Sequence, residues 1–561
     1  MTDSKKIIGY GIIGIVIISA VYVTLFRYSS NNKPAMQSSV QLVANSNASS
    51  VEQFNNQFCG LNSIPNSNHY ITEYKLPHAC EIPLGIAIDG YSGKVWYVST
   101  KHGTLGSYDL VSKTFDKEKS IPVWTVRQNP RDFSDVWSVK VDSSGNNIWF
   151  TDQKQNAIWR YIKSLGGFEM YKVPEKSGIF VTTSPVSIDF DSKGDVYFVG
   201  IHSPNLWFGN ITQLTNGTSN GITKIPMPTD AFNGVDPNLI STGSVTVDNK
   251  KNSVWVSMLA AGAKGEILRY NIISKTFDTF ILPEQLSSPV GLAVDNNHNL
   301  WATDHGTSIF YMLNTTNYNL TMFATSKASP KIYGVSESSS VPQGAYTLPY
   351  WIEKGPDDGS LWFNEHEGNK IARFDPLNNT LYEYWIPTQD RSWGDCASNS
   401  KTCGIANALQ FSVGENGQTW FTEWSENKIG RIISPITIKN NNQQPPFSVS
   451  ASPQELTLRR GQSVEVKLDI STTKVSASAL SPSNANIDMV ASGTFTPTGE
   501  LGNSTGSFSE QSFSLEPMQT KQVSFIFTAA LDLGSGEYTL MLGAQNDAIT
   551  IMKAAKVHIV D

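Results

Sequence analysis

Four carboxylates recur at one place in a repeated phrase. Asp152, Asp304, Glu365 and Glu423 each stand three residues after an aromatic, namely Trp149, Trp301, Trp362 and Trp420. Carboxylate oxygens gathered from several strands suit hard divalent cations, so a converging set would hold Mg2+ or Ca2+. Without a cation or a basic group among them they would repel one another. The same residues have a local reading, in which each acid pairs with a Lys or Arg of its own repeat. Two of the four are followed by histidine, in Asp304-His305 and Glu365-His366-Glu367. Neighbours on a strand face opposite ways, so acid and imidazole share a site only past a strand end. There His366, and after it His305, would be the base of a proton-transfer step. Tyr350 and Trp351 offer a stacking surface for a ligand, or equally core packing. His69, His102, His202, His298 and His558 form no metal-spaced cluster, and the chain has neither a Gly-x-Ser-x-Gly elbow nor a phosphate loop.

The elements that must position these residues are short strands. Trp96, Trp149, Tyr197, Trp255, Trp301, Trp362 and Trp420 each open a strand after an Asp- and Gly-rich turn, at spacings of 46 to 61 residues. A strand-dense repeat of this length is a propeller blade, and one blade cannot bury its own faces. The expected fold is all-β, with a seven-bladed β-propeller over residues 69–435 and the aromatics filling the gaps between blades. Most blades end in an outer strand finishing on Pro, but the seventh lacks one. The same pattern stands alone at residues 70–77, in Tyr70-Ile71-Thr72-Glu73-Tyr74-Lys75-Leu76-Pro77. That segment is expected to complete the last blade and close the ring. Residues 436–446 read as a linker. Residues 447–561 read as a second all-β unit of immunoglobulin-like sandwich build, without a Cys…Trp…Cys signature.

Residues 7–26 carry no charge over twenty positions, with Lys5 and Lys6 before them and Arg27 after. That is long enough to span a bilayer as a helix, although a cleaved signal peptide is the alternative. Residues 1–27 are thus expected to be a single-pass membrane anchor. Residues 28–68 would be a flexible stalk, and the bulk of the chain would lie outside the cell. Four cysteines, Cys59, Cys80, Cys396 and Cys403, lack CxxC spacing and suit two local disulfides. Seven N-x-S/T sequons, at Asn47, Asn210, Asn216, Asn314, Asn319, Asn378 and Asn503, suit a glycosylated outer surface. The formal charge of −7 and the lack of a basic patch with interleaved aromatics exclude nucleic acid as an expected partner.

In blades six and seven the wording becomes specific. Gly355-Pro356-Asp357-Asp358-Gly359-Ser360-Leu361-Trp362-Phe363-Asn364-Glu365 resembles the repeat of the streptogramin (virginiamycin B) lyase family, as does Thr419-Trp420-Phe421-Thr422-Glu423-Trp424-Ser425-Glu426-Asn427-Lys428-Ile429-Gly430-Arg431-Ile432. Related NHL-type propellers share part of the pattern. The resemblance implies a seven-bladed propeller and an enzyme that opens a cyclic depsipeptide by elimination, using Mg2+ and a histidine. In that family the histidine follows the Pro that opens a blade. Here the equivalents are Leu84, Val186, Val290 and Tyr350, with Val136-Trp137 and Ala406-Asn407 in blades two and seven. Pro77-His78-Ala79-Cys80 has the letters but precedes the blade opening at Pro83. The sequence therefore favours a surface protein that binds a ligand, a glycan or a partner protein. A metal-assisted lyase is the alternative, and a structural envelope component is the third reading.

Overall fold

The computed structural model describes residues 64–124, 136–174, 182–201, 203–327, 346–356, 358–388, 406–433, 445–472 and 485–561. The expected anchor, residues 28–63 of the expected stalk and most of the linker lie outside the described residues; residues 64–68 of that stalk are instead tied to the propeller, where Asn68 Nδ2 donates to the Trp385 carbonyl at 2.9 Å. Among those described, no helix is long and apolar enough to cross a membrane.

Seven antiparallel units follow one another among the described residues, each of four strands except the first, whose outer strand is split into Thr114–Phe115 and Lys119–Ser120. Inner strands of successive blades touch in turn, and that of blade seven meets that of blade one. The turn before each aromatic needs one left-handed residue. Gly93 (φ 65°), Gly145 (φ 67°) and Gly359 (φ 70°) supply it in blades one, two and six, whereas Asn252 (φ 50°) and His298 (φ 64°) do so in blades four and five. The turn aspartate holds both ends of this device. Asp295 accepts the Asn297 and Asn299 amides at 2.8 and 2.9 Å, and its other oxygen accepts Trp301 Nε1 at 3.0 Å. The aromatics then fill the gaps between blades. Trp420 lies 5.3 Å from Tyr108 of blade one, Trp96 lies 5.6 Å from Tyr161 of blade two, and Trp301 lies 5.4 Å from Phe374 of blade six. Arginine sits directly across the ladder from the aromatic in four blades, as in Trp149↔Arg160 and Trp362↔Arg373.

The ring closes through the N-terminal strand. Ile71–Lys75 pairs antiparallel with Lys428–Ile433, from Ile71↔Ile432 to Lys75↔Lys428. A buried ion pair sets this register, with Lys428 Nζ 2.9 Å from Glu73 Oε2 and both side chains fully buried. Thr388, at the end of blade six, donates its backbone N–H to the same carboxylate at 2.9 Å.

The C-terminal segment forms a two-sheet sandwich whose faces share one buried core with blades six and seven. It is joined to the propeller by more than a linker. The outer strand of blade six, Thr380–Trp385, pairs antiparallel with the last strand, Ile549–Val560, so that one nine-stranded sheet runs through both units. Trp385 Nε1 donates across this seam to Thr550 Oγ1 at 3.0 Å. An open strand edge is thereby covered.

Cys80 is buried and disulfide-bonded, while Cys59, Cys396 and Cys403 lie outside the described residues. Of the sequon asparagines, Asn216, Asn319, Asn378 and Asn503 are exposed and Asn210 and Asn314 half-buried, all outside strands; Asn47 is not among the described residues.

Candidate ligand site at the propeller channel

Cross-strand register aligns the seven inner strands on one another. Ile86, Val139, Ile188, Val245, Leu292, Ile352 and Phe411 face the residue just after each blade's aromatic. Two residues earlier stand Leu84, Trp137, Val186, Gly243, Val290, Tyr350 and Leu409, a ring where the inner strands begin. Leu84, Trp137, Val186 and Leu409 belong to one buried apolar cluster, with Tyr350 and Trp424 packed against it. The opening of blade seven is therefore Ala408-Leu409, two residues later than the expected Ala406-Asn407. None of the seven positions holds a histidine. Register shifts follow the opening in most of these strands, for example between Pro83 and Ile86 and between Pro349 and Ile352. Such bulges re-aim side chains at the rim of a closed sheet.

His305 and His366 lie just past the strands Leu300–Asp304 and Leu361–Glu365, and they come together beside this ring. Their rings stack at 5.5 Å with planes 12° apart, and the Tyr350 ring meets His305 edge-on at 4.7 Å. His366 Nε2 is 3.0 Å from Asn407 Oδ1, and the Asn407 amide nitrogen donates to Ser425 Oγ at 3.1 Å. With Asn407 oxygen as acceptor, Nε2 carries the hydrogen and Nδ1 keeps its lone pair. Nδ1 of both histidines is buried without a hydrogen-bond partner. Burial pushes His305 down to about 3 and His366 down to about 4, with the neighbouring imidazole adding to the shift of His305. Both rings are uncharged at neutral pH. They accept and donate hydrogen bonds there, but they are far weaker bases than the near-neutral pKa that proton transfer favours.

The four aligned acids are not brought together. Three of them are spent within or beside their own blades. Asp152 accepts Trp124 Nε1 at 2.7 Å and Trp159 Nε1 at 2.9 Å. Asp304 accepts the Ser288 and Gly306 amides at 2.8 and 3.0 Å, and burial raises it to about 6. Glu365 lies 2.8 Å from Lys370 Nζ, which also approaches Glu383 at 3.2 Å. Burial, and then the Glu383 carboxylate, raise Glu365 well above the usual carboxylate range. Burial, and then Glu73, do the same to Glu423, whose two oxygens have no hydrogen-bond partner. Among the described residues no group of three or more His, Cys, Asp or Glu is placed to hold a metal. Asp152, Asp304, Glu365 and Glu423 thus do not fit a shared Mg2+ or Ca2+ as a donor set. Two are occupied by indole or backbone donors, Glu365 is paired with Lys370, and Glu423 is buried where desolvation and the Glu73 carboxylate disfavour its charged form. Trp351 also departs from the expected surface. It is buried in the core of blades six and seven, because it points opposite to Tyr350.

A second ring stands directly across the ladder from the aromatics, one residue beyond the inner-strand reference: Ala87, Lys140, Asp189, Thr246, Ala293, Glu353 and Ser412. Lys140 Nζ pairs with Asp189 Oδ1 at 3.0 Å. Glu353 accepts the Val413 amide at 3.2 Å, and burial raises its pKa. Lys140, Thr246, Glu353 and Ser412 line a cavity of about 410 Å3 at this level of the channel. The signal was present in the inner strands, where a charged residue interrupts an apolar run in Val139-Lys140-Val141 and Ile352-Glu353-Lys354.

No protein family and no curated protein matches the sequence. Solved structures do. A streptogramin B lyase is similar at 21% identity over 64% of this chain and 96% of that one, with a TM-score of 0.47. Virginiamycin B lyase from Staphylococcus aureus is similar at 20% identity over 65% of this chain and 99% of that one, with a TM-score of 0.47. The extracellular domain of a putative one-component system from B. thetaiotaomicron is similar at 13% identity over 90% of this chain and 59% of that one, with a TM-score of 0.39.

Proposed function

We propose that this chain is a surface recognition protein. Residues 7–26 anchor it, its propeller takes an uncharged ligand or a partner's apolar side chain at the Leu84 end of the channel, and its C-terminal sandwich is an immunoglobulin-like module. The observation that carries this reading is the composition of the mouth. The ring Leu84, Trp137, Val186, Gly243, Val290, Tyr350 and Leu409 has no carboxylate, lysine or histidine, and the two imidazoles beside it are held uncharged. A site of this kind offers apolar contact and neutral hydrogen bonds, the usual composition of a ligand pocket. Neither imidazole beside it is tuned to take a proton near pH 7. The uncharged run at residues 7–26 and the sequons in exposed turns support an outward-facing location.

The test sets binding against the lyase alternative. The full chain is incubated with a streptogramin B depsipeptide and Mg2+, and ring opening is followed by mass spectrometry. The depsipeptide is expected to stay intact. Ring opening that disappears in His366→Ala or Glu423→Ala overturns the recognition role. Fluorescence enhancement of the uncharged dye Nile red is expected with the wild type and to fall in Tyr350→Ala. Membrane fractionation of cells expressing the full chain, against a chain lacking residues 1–27, tests the anchor.

A further inference from the structure

A second cavity, of about 530 Å3, opens where blade five, blade six and the sandwich meet. Its volume lies within the roughly 300–1,000 Å3 of small-molecule sites, which favour the interfaces between domains. The walls are held in place by the continuous sheet, through the pairing of Thr380–Trp385 with Ile549–Val560. The backbone of the cleft is therefore preformed, which leaves only its exposed side chains to be ordered by a ligand.

Its lining divides by chemistry. The two aspartates facing it are already consumed. Asp295 is bonded through both oxygens to its own turn and to Trp301. Asp358 is bonded to Ser360 through one oxygen and to Arg373 at 2.7 Å through the other. Glu455 and Lys556 stand opposite one another in a parallel pair, both exposed and of opposite sign, so together they add no net charge to the wall. The other groups left to meet a ligand are neutral. The side-chain amides of Asn297, Asn379 and Gln454 are exposed, one from each of the three walls, and make no hydrogen bond to the protein among the described residues. Between them Leu377, which is 83% exposed, and the edges of Met312 and Phe323 form an apolar floor.

We propose that this cleft binds a neutral oligosaccharide. A carboxamide offers a donor and an acceptor side by side, as paired hydroxyls of a sugar require. The C–H face of a pyranose matches the Leu377, Met312 and Phe323 surface, and the two free charges of the wall, Glu455 and Lys556, are of opposite sign and leave no net charge to favour an ionic ligand. The site is separate from the channel mouth and does not depend on the reading given above.

The experiment uses the full chain made in a host that does not N-glycosylate, because the Asn378 sequon adjoins the wall and would otherwise carry a sugar of its own. Cellohexaose, maltohexaose, chitohexaose and mannohexaose are titrated by calorimetry and by saturation-transfer NMR. Saturable binding of at least one is expected, weakened by about tenfold in Gln454→Ala and in Asn379→Ala, the loss of about one well-made hydrogen bond each. Both residues are exposed, so the fold is retained, and Tyr350→Ala at the channel mouth leaves this binding unchanged. Failure of all four sugars to saturate overturns the proposal, as does binding indifferent to both substitutions. Tighter binding of a sulfated hexasaccharide than of any neutral one overturns the neutral class.

Discussion

Blades six and seven use the same wording and the same buried chemistry, but they obtain it from different parts of the chain. In blade six, Glu365 ends the second strand, Lys370 begins the third and Glu383 comes from the fourth, all within one unbroken segment. In blade seven, Glu423 and Lys428 hold the matching places, and the partner acid is Glu73, 355 residues away in sequence. The outer strand of blade six is covered by the sandwich, whereas that of blade seven is itself the N-terminal segment. The difference teaches that the Glu–Lys–Glu set is a lock for the fourth strand rather than a cation site. Where the fourth strand is local the lock is one more core contact, and where it is distant the lock closes the ring. The residue after the acid also differs. Blade six has His366 and blade seven has Trp424, and only the former enters the stacked pair at the channel mouth.

The equivalence of the two locks is broken most directly by removing the lysines. Lys428→Met and Lys370→Met each leave a buried carboxylate without its counter-charge, which costs about 3–5 kcal/mol. Urea denaturation should show comparable losses for both. A Lys428→Met protein that loses under about 1 kcal/mol would show that the ring is held by something other than this pair.

The contrast between His366 and Trp424 is sharpened by pH. His366 is lowered from 6.5 to about 4 in the fold. Below pH 6.5 the unfolded chain therefore takes a proton that the folded chain refuses until about pH 4. Stability from this group is full above pH 6.5 and is lost as pH falls, by about 1.4 kcal/mol per unit and about 3 kcal/mol over the window. His366→Gln removes this term, so its deficit against the wild type should shrink between pH 7 and pH 4.5 in urea melts. Parallel stability curves would contradict a buried, uncharged imidazole.

The smallest effect concerns the outer edges. Thr550→Val leaves Trp385 Nε1 unpaired at the seam between blade six and the sandwich, and should cost about 1–2 kcal/mol. Hydrogen exchange should speed up in Thr380–Trp385 and leave Ile71–Lys75 unchanged. Equal loosening of both edges would mean that the two fourth strands are not secured independently.

Much of this was legible in the sequence, because a repeat fixes its own register. The aromatics, the turn before each and the stray copy at residues 70–77 mark the blades and the segment that closes them. The fate of the acids was half legible. Lys370 and Lys428, five residues after Glu365 and Glu423, already marked a local partner across a two-strand turn. Blade seven's opening was misplaced by two residues because its inner strand is short, Phe411–Val413, and carries no Pro to mark its start. The Lys140, Asp189 and Glu353 ring stands directly across the ladder from the aromatics Trp149, Tyr197 and Trp362, and was missed because the repeat was followed along the second strands and not along the first strands paired with them. The seam with the sandwich left no trace, since pairing through backbone groups needs no particular side chain on either edge.

The central claim, that the channel mouth recognises a neutral ligand rather than transferring protons, turns on the charge state of two imidazoles. Carbon-13 labelling at the histidine Cε1 position, with resonances assigned by His305→Gln and His366→Gln, reads that state by NMR. The account predicts that neither resonance moves between pH 8 and pH 6. A titration of either histidine with its midpoint between pH 6 and pH 8 would contradict it.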